Sequence, residues 1–248
     1  MAQAHRRVRR PRFHRPEPVW PARFDRLVLL GMAVVAALSL FDAAAIRHAR
    51  ADDGLLFSAM RAITDIGQSH WYLVPAALLF FGAAFVDWRK AGFRGRRRLV
   101  LLFGQAGFAF AAVALSGLLA NVVKIVVGRA RPSLFEAVGP HHFEPFSVGY
   151  AYASFPSGHA TTVGAVTALL CLWLPRYAWL WLAVGVFLAA TRVAATAHYL
   201  SDIAGGFFFG LAFTVLAARF LARRGVAFRF AHGKVLPAVV GRRSARRK

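Results

Sequence analysis

The chain has a single cysteine, Cys171, in 248 residues, which excludes an intrachain disulfide and any cysteine-based metal cluster. That thiol lies inside an apolar run, where packing is the default role, so it says nothing about compartment. Acidic residues are scarce too. Ten Asp+Glu stand against 32 Lys+Arg, and only 17% of residues are charged. A soluble domain carries roughly a quarter charged residues and about half apolar ones. A chain that is 58% hydrophobic with a net charge of +22 therefore excludes both a disordered polymer and an ordinary aqueous globule. No internal repeat stands out, and the lack of alternating strand patterns excludes a membrane barrel.

What is present is a series of apolar blocks separated by basic clusters at 1–26, 89–98 and 219–248, the layout of a polytopic membrane protein. The stretches Leu27–Ile46, Trp71–Asp87, Leu99–Val123, about Pro156 to Leu174, Tyr177–Ala195 and Tyr199 to about Leu221 predict an all-α bundle of about six transmembrane helices. The first stretch follows an Arg-rich segment and precedes Ala49-Arg50-Ala51, which mimics a cleavable signal peptide. Its length of roughly 20 residues crosses a hydrocarbon core of about 30 Å, which favours a retained anchor. Leu55, Leu56, Met60, Ile63 and Ile66 recur at helical period with Arg61 and Asp65 between them, predicting a short interfacial helix. The expected organisation is a basic tail over 1–26, a membrane domain over 27–222 and a second basic tail over 223–248.

Orientation follows the basic residues. With both tails cytoplasmic, 25 of the 32 Lys+Arg fall on inside segments. The 47–70 loop, the 124–155 region and the 191–202 turn then face the other side, the periplasm for a protein of a bacterial inner membrane. The tails read as orientation signals leaning on anionic headgroups, and no nucleic-acid partner is expected.

Ionisable residues at membrane depth cost a few kcal/mol each on insertion scales, so those near span ends demand an account. Lys124 and Arg131, in a run ending at Pro132, fall on one helical face about 10 Å apart along the axis if the third span continues, while Arg129 points elsewhere. Two cations there suit an anion, or else snorkel to the interface. Phe155-Pro156-Ser157-Gly158-His159 precedes an apolar run: a proline in the first turn, a capping serine and a bare glycine make a helix start whose free N–H groups can face a phosphate. Simple capping is the bland alternative. Thr191-Arg192 is followed by His198 and Asp202, whose i, i+4 spacing lets the carboxylate hold one imidazole nitrogen and leave the other free to attack or move a proton. A structural His–Asp pair is the bland reading. Taken together, the clusters land on one side of the membrane with complementary chemistry: Lys124, Arg131 and Arg192 for phosphoryl oxygens, N–H groups of Ser157 and Gly158 beside them, and two histidines to divide attack from protonation.

In this order on six spans, K-x6-R-P, P-S-G-H and S/T-R-x5-H-x3-D resemble the type 2 phosphatidic acid phosphatase (PAP2) superfamily of integral-membrane lipid phosphatases, over roughly 100–215 by motif and the whole chain by topology. The resemblance implies that Lys124, Arg131, Arg192, Ser157 and Gly158 bind phosphate. His198 would be the nucleophile forming a phosphohistidine, Asp202 its orienter and His159 the acid toward the leaving group. No metal or other cofactor is implied. Thr191 stands where Ser is commoner, and its hydroxyl is expected to keep a phosphate contact. The function implied is hydrolysis of a lipid phosphomonoester or pyrophosphate at the outer leaflet. Phosphatidate, phosphatidylglycerol phosphate, undecaprenyl pyrophosphate and lipid A phosphates share that reacting group, and bilayer lipids are the expected partners. A phosphotransferase or vanadate-binding oxidase using the same pocket, or a non-enzymatic lipid-binding protein, are the alternatives.

The remaining polar residues read blandly. His141, His142 and Glu144 suit a solvated lid over the headgroup rather than a metal site. Asp42, near the outer end of the first span, is expected to reach the interface; Asp65 and Gln68 flank Gly67 in capping and turn roles, and Arg129 receives no role.

Overall fold

The computed structural model describes residues 17–230 and 235–240; expectations for the outer parts of the basic tails fall outside the described residues. The helices are α1 (Ala22–Ser39), α2 (Asp42–Ala51), α3 (Leu55–Ile63), α4 (His70–Phe85), α5 (Phe93–Val127), α6 (Phe135–Val138), α7 (Gly158–Trp173), α8 (Ala178–Ala194) and α9 (Leu200–Arg223), followed by the short antiparallel strands β1 (Phe228–Arg229) and β2 (Ala238–Val239). The fold is an all-α membrane bundle. Among the described residues, α5, α8 with its preceding turn and α9 are long and apolar enough to cross a membrane, and α1 with α2 makes a fourth span if the pair counts as one. At 16 residues each, α4 and α7 extend about 24 Å, short of the full hydrocarbon core. The 35 residues of α5 extend about 52 Å, so its first turn, with Arg94 and Arg96, runs beyond its apolar stretch.

The first apolar stretch is not one straight helix. The chain breaks after Ser39 and α2 departs at 57° to α1. The physical reason is the composition of α2, whose Arg47, His48 and Arg50 favour leaving the apolar layer. Arg50 ties α2 to α6 and the turn before it, donating to Glu136 Oε1 and to the Pro132 carbonyl, each at 2.6 Å.

At the centre α7 packs on α9 at backbone contact. A Cβ at Gly210 would lie 2.0 Å from the Thr161 carbonyl oxygen, and one at Gly206 2.3 Å from that of Ser157. Small residues permit this approach where lipid provides no hydrophobic drive between helices. Around it, Phe108 and Ala112 of α5, Leu169 and Leu172 of α7 and Ala218 of α9 form the main core. Residues 226–230 and 235–240, assigned by sequence to a tail, fold back on this core: Phe228 is fully buried in it, with Leu236 and Val239 packed alongside. At the same end Arg219 is buried, donating to the carbonyls of Pro18, Val19 and Val235.

Candidate active site

The helix directions bring the end of α5, the start of α7, the end of α8 and the start of α9 to one end of the bundle. The α5 helix stops at Gly128, whose left-handed φ of 59° closes the last turn. A Cβ there would fall 1.6 Å from the Glu144 carbonyl oxygen, so the turn requires glycine. Arg131 consequently does not continue the face of Lys124, contrary to the one-helix expectation. The turn nevertheless returns it to the same place: Arg131, Arg192 and Asp202 all lie within electrostatic reach of Lys124. Lys124 Nζ donates to the Ala153 carbonyl at 2.8 Å. Arg131 stacks 4.0 Å over the Tyr150 ring, and its Nε donates to the Tyr150 carbonyl at 3.0 Å.

Ser157 is the N-cap of α7, its hydroxyl accepting from the Ala160 N–H at 3.4 Å, with Pro156 just outside the helix rather than in its first turn. Its own N–H donates to the Asp202 carbonyl at 3.0 Å, so that group, expected on phosphate, is already engaged in joining α7 to α9. Gly158 stays bare beside Lys124: a Cβ would lie 4.0 Å from Lys124 Cε. His159 stands within electrostatic reach of Arg192, Lys124 and Arg131, and its Nε2 is buried without a hydrogen-bond partner. Gly67, in the 3₁₀ turn Thr64–Gly67 that follows α3, packs on the side chain of His159.

Arg192 lies in the last turn of α8, where its Nη1 donates to Thr64 Oγ1 at 3.1 Å and its Nε is buried and unpartnered. Thr191 is fully buried, and its hydroxyl serves Thr64 and the Leu188 carbonyl at 3.1 and 2.6 Å rather than a phosphate. His198 precedes α9 instead of starting it, yet its Nδ1 reaches to 3.8 Å from Asp202 Oδ2. Burial pushes the His198 imidazole down to about 4, a shift the Asp202 carboxylate opposes. Asp202 itself is held from all sides: Oδ2 accepts from Ser154 Oγ at 2.6 Å and the Tyr199 N–H at 3.0 Å, and Oδ1 from Arg129 Nη1 at 2.6 Å.

Thus the structure brings together Lys124, Arg131, Gly158, His159, Arg192, His198 and Asp202, with Ser157 as the joint beneath them. Sequence reasoning missed Thr64, Arg129, Asp42 and Ser154. Asp42 does not reach the interface but is wholly buried on Arg129, and a carboxylate within an apolar span was itself the available signal. Thr64 had none, because a lone threonine after an amphipathic helix has no diagnostic spacing. His142 Nε2 lies 3.3 Å from Glu144 Oε1 in the loop after α5. An apolar crevice of about 720 Å³ between α1 and α9, lined by Leu27, Gly31, Met32 and Phe208, does not include His159 or His198; Arg129 and Ser201 in its lining adjoin the polar cluster, and His141 also lines it.

Residues 105–225 match the model of the PAP2 superfamily. Over 213 residues the chain is 38% identical to proteins named Lipid A 1-phosphatase from Rhizobium johnstonii and Rhizobium etli, covering 85% of this chain and 86% and 90% of theirs. The crystal structure of a transmembrane PAP2 type phosphatidylglycerolphosphate phosphatase from Bacillus subtilis superposes with a TM-score of 0.51 at 24% identity, over 79% of this chain and 94% of that one, a likeness of fold. With its motif residues gathered at one end of a membrane bundle, the chain belongs to the PAP2 superfamily and is a membrane-embedded phosphatase.

Proposed function

We propose that the protein removes a phosphate from a lipid in the outer leaflet of a bacterial inner membrane, with lipid A as the substrate class, through a phosphohistidine intermediate. The observation that carries the reading is the convergence of Lys124, Arg131 and Arg192 on His159, and of Lys124 and Arg131 on His198, with the His159 Nε2 and Arg192 Nε buried and unpartnered. Polar atoms left without partners cost about 1–3 kcal/mol each, which a phosphoryl group entering between them recovers. His159 takes up a proton as the phosphate anion enters beside it and favours the imidazolium; His198 Nε2 attacks phosphorus, the bond to the lipid oxygen breaks, and His159 gives that proton to the departing alkoxide. Water then attacks the phosphohistidine, losing a proton to His159, and inorganic phosphate and free His198 are released. Asp202 holds the Nδ1 side of His198 throughout.

The identity to Lipid A 1-phosphatases across most of the chain supports the substrate class. Lipid access is supported by α3, which has no buried residue, and by the exposed Leu55, Val148 and Tyr150 around this end. The side assignment rests on the basic residues concentrated toward the opposite end.

The test is phosphate release by purified protein from lipid A, phosphatidate, phosphatidylglycerol phosphate and undecaprenyl pyrophosphate in mixed micelles, with a chelator present. Fastest release from lipid A, lost in His198→Ala, is the expected result. Preference for another lipid overturns the substrate class, loss of activity in chelator overturns the metal-free mechanism, and wild-type turnover by His198→Ala overturns the phosphohistidine. Transfer of the phosphoryl group to an added alcohol in place of release would make the protein a transferase.

A further inference from the structure

Behind Asp202, on the side away from His198, lies a second layer of charge that the phosphatase motifs do not include. The Arg129 guanidinium is nearly wholly buried between two carboxylates: Nη1 donates to Asp202 Oδ1 at 2.6 Å and Nη2 to Asp42 Oδ2 at 2.8 Å. Its other contacts are with Ser201 Oγ at 2.7 Å and the Pro140 carbonyl at 2.7 and 3.1 Å, and the plane lies 4.5 Å from the Tyr199 ring centroid. Asp42 is equally enclosed, accepting from the Ser201 N–H at 3.0 Å and from the Ser201 hydroxyl. The cluster joins the kink between α1 and α2, the turn after α5 and the first turn of α9.

We propose that Arg129 and Asp42 are positioning residues for the phosphatase reaction, acting through Asp202: Arg129 fixes the carboxylate toward His198, and Asp42 balances Arg129 so that Asp202 keeps its negative field at the imidazole. The inference rests on the assignment of His198 as nucleophile and Asp202 as its orienter. Its physical basis is charge arithmetic at low dielectric. A buried guanidinium bonded to Asp202 alone would neutralise it and weaken its hold on the positive charge that develops on His198 during attack. With a second carboxylate on the opposite edge, one cation is shared between two anions, and the triad carries one net negative charge toward the histidine. Burying an ion triad is not needed to stabilise a fold, since apolar residues of similar volume usually do as well. Its placement directly behind the orienting carboxylate fits a task at the site. The kink after Ser39 thereby acquires a role, because it delivers Asp42 to Arg129.

The experiment is a double-mutant cycle on phosphate release from lipid A and, in parallel, from phosphatidate, with Asp42→Asn, Asp202→Asn and the double variant. Asp42→Asn keeps shape and removes charge. Misplacing a catalytic group by about 1 Å costs on the order of 10²-fold, so a kcat loss of about 10- to 100-fold with KM within about 3-fold is expected. In the Asp202→Asn background the same substitution should cost nothing further, because its route to the chemistry is already gone. Losses that multiply in the double variant would overturn the proposal, as would wild-type kcat in Asp42→Asn. Ser201→Ala, which removes only the hydroxyl shared by Arg129 and Asp42, gives the same discrimination if Asp42→Asn does not fold: a fall in kcat that vanishes in the Asp202→Asn background supports the proposal, and an additive fall or none overturns it. If Asp202→Asn itself turns over like wild type, the His198–Asp202 assignment fails first, an outcome distinct from failure of the Asp42 coupling alone.

Discussion

His198 Nδ1 stands 3.8 Å from Asp202 Oδ2, both side chains buried, with Ser154 and Tyr199 already bonded to that same oxygen. This is longer than a hydrogen bond, as catalytic contacts often are before substrate closes them. The carboxylate cannot swing away, because Arg129 holds its other oxygen. His198→Ala should therefore abolish phosphate release, and Asp202→Asn should lower kcat by about 10²- to 10⁴-fold with the protein still eluting as a folded species in detergent. Steady-state phosphate release on both variants checks this.

The pH behaviour follows from burial of the same imidazole. In the unfolded chain His198 takes up a proton near its ordinary value of 6.5, whereas the folded protein resists protonation until about 4. The unfolded state thus binds more protons between those values, and stability attributable to this group is complete above about pH 6.5 and lost as pH falls toward 4. Thermal midpoints at pH 7.5, 6 and 5 should decline, and His198→Gln should flatten part of that decline. As the proposed nucleophile, His198 also stays neutral down to about pH 5, so kcat/KM should show no acidic limb from it above that pH.

That the motif residues would gather at one end was legible in their spacing, and the bundle was legible because apolar length reports membrane crossing. What was hidden depends on the third dimension. Lys124 and Arg131 share a site through a left-handed turn at Gly128 rather than through a common helix face, so the expected juxtaposition arises from different geometry. The Ser157 N–H and the Thr191 hydroxyl are consumed by neighbours whose approach sequence spacing does not encode. Asp42 and Arg129 are 87 positions apart, and only the break after Ser39 makes them partners.

Thr64 is the contact through which the segment after α3 holds Arg192, proposed to bind phosphate, accepting from Arg192 Nη1 and from Thr191 at 3.1 Å each. Hydrogen bonds to charged groups contribute about 1.5–3 kcal/mol. Thr64→Val keeps the volume and removes the acceptor, freeing the Arg192 guanidinium to take other rotamers. An increase of about 10-fold or more in KM, with a smaller change in kcat, is expected from initial-rate measurements on lipid A. Thr64→Ser should restore KM.

Gly128 carries the turn that returns Arg131 to Lys124. Its φ of 59° is strained for any L side chain, and the 1.6 Å approach of a Cβ to the Glu144 carbonyl oxygen leaves backbone, not a flexible side chain, to move. Gly128→Ala should cost at least about 1–3 kcal/mol and shift Arg131. The measurable result is a lower thermal midpoint together with reduced inhibition by inorganic phosphate, because the turn carries Arg131, proposed to bind phosphate.

Arg219 provides the contrasting case, a buried cation at the other end of the bundle. It is 1% exposed, donates to the carbonyls of Pro18, Val19 and Val235, and lies 3.6 Å from Glu17. Arg219→Met retains the stem and leaves those carbonyls without their donor, and losing a hydrogen bond made by a charged group costs about 1.5–3 kcal/mol. The variant should unfold at lower temperature and become sensitive to proteolysis in the 17–20 and 235–240 segments that Arg219 fastens. Its kcat/KM, measured well below the unfolding transition, should stay within about 2-fold of wild type, since among the described residues none proposed to bind phosphate is its partner. The same loss of stability accompanied by a large fall in kcat/KM would mean that the two ends of the bundle are mechanically coupled through α9.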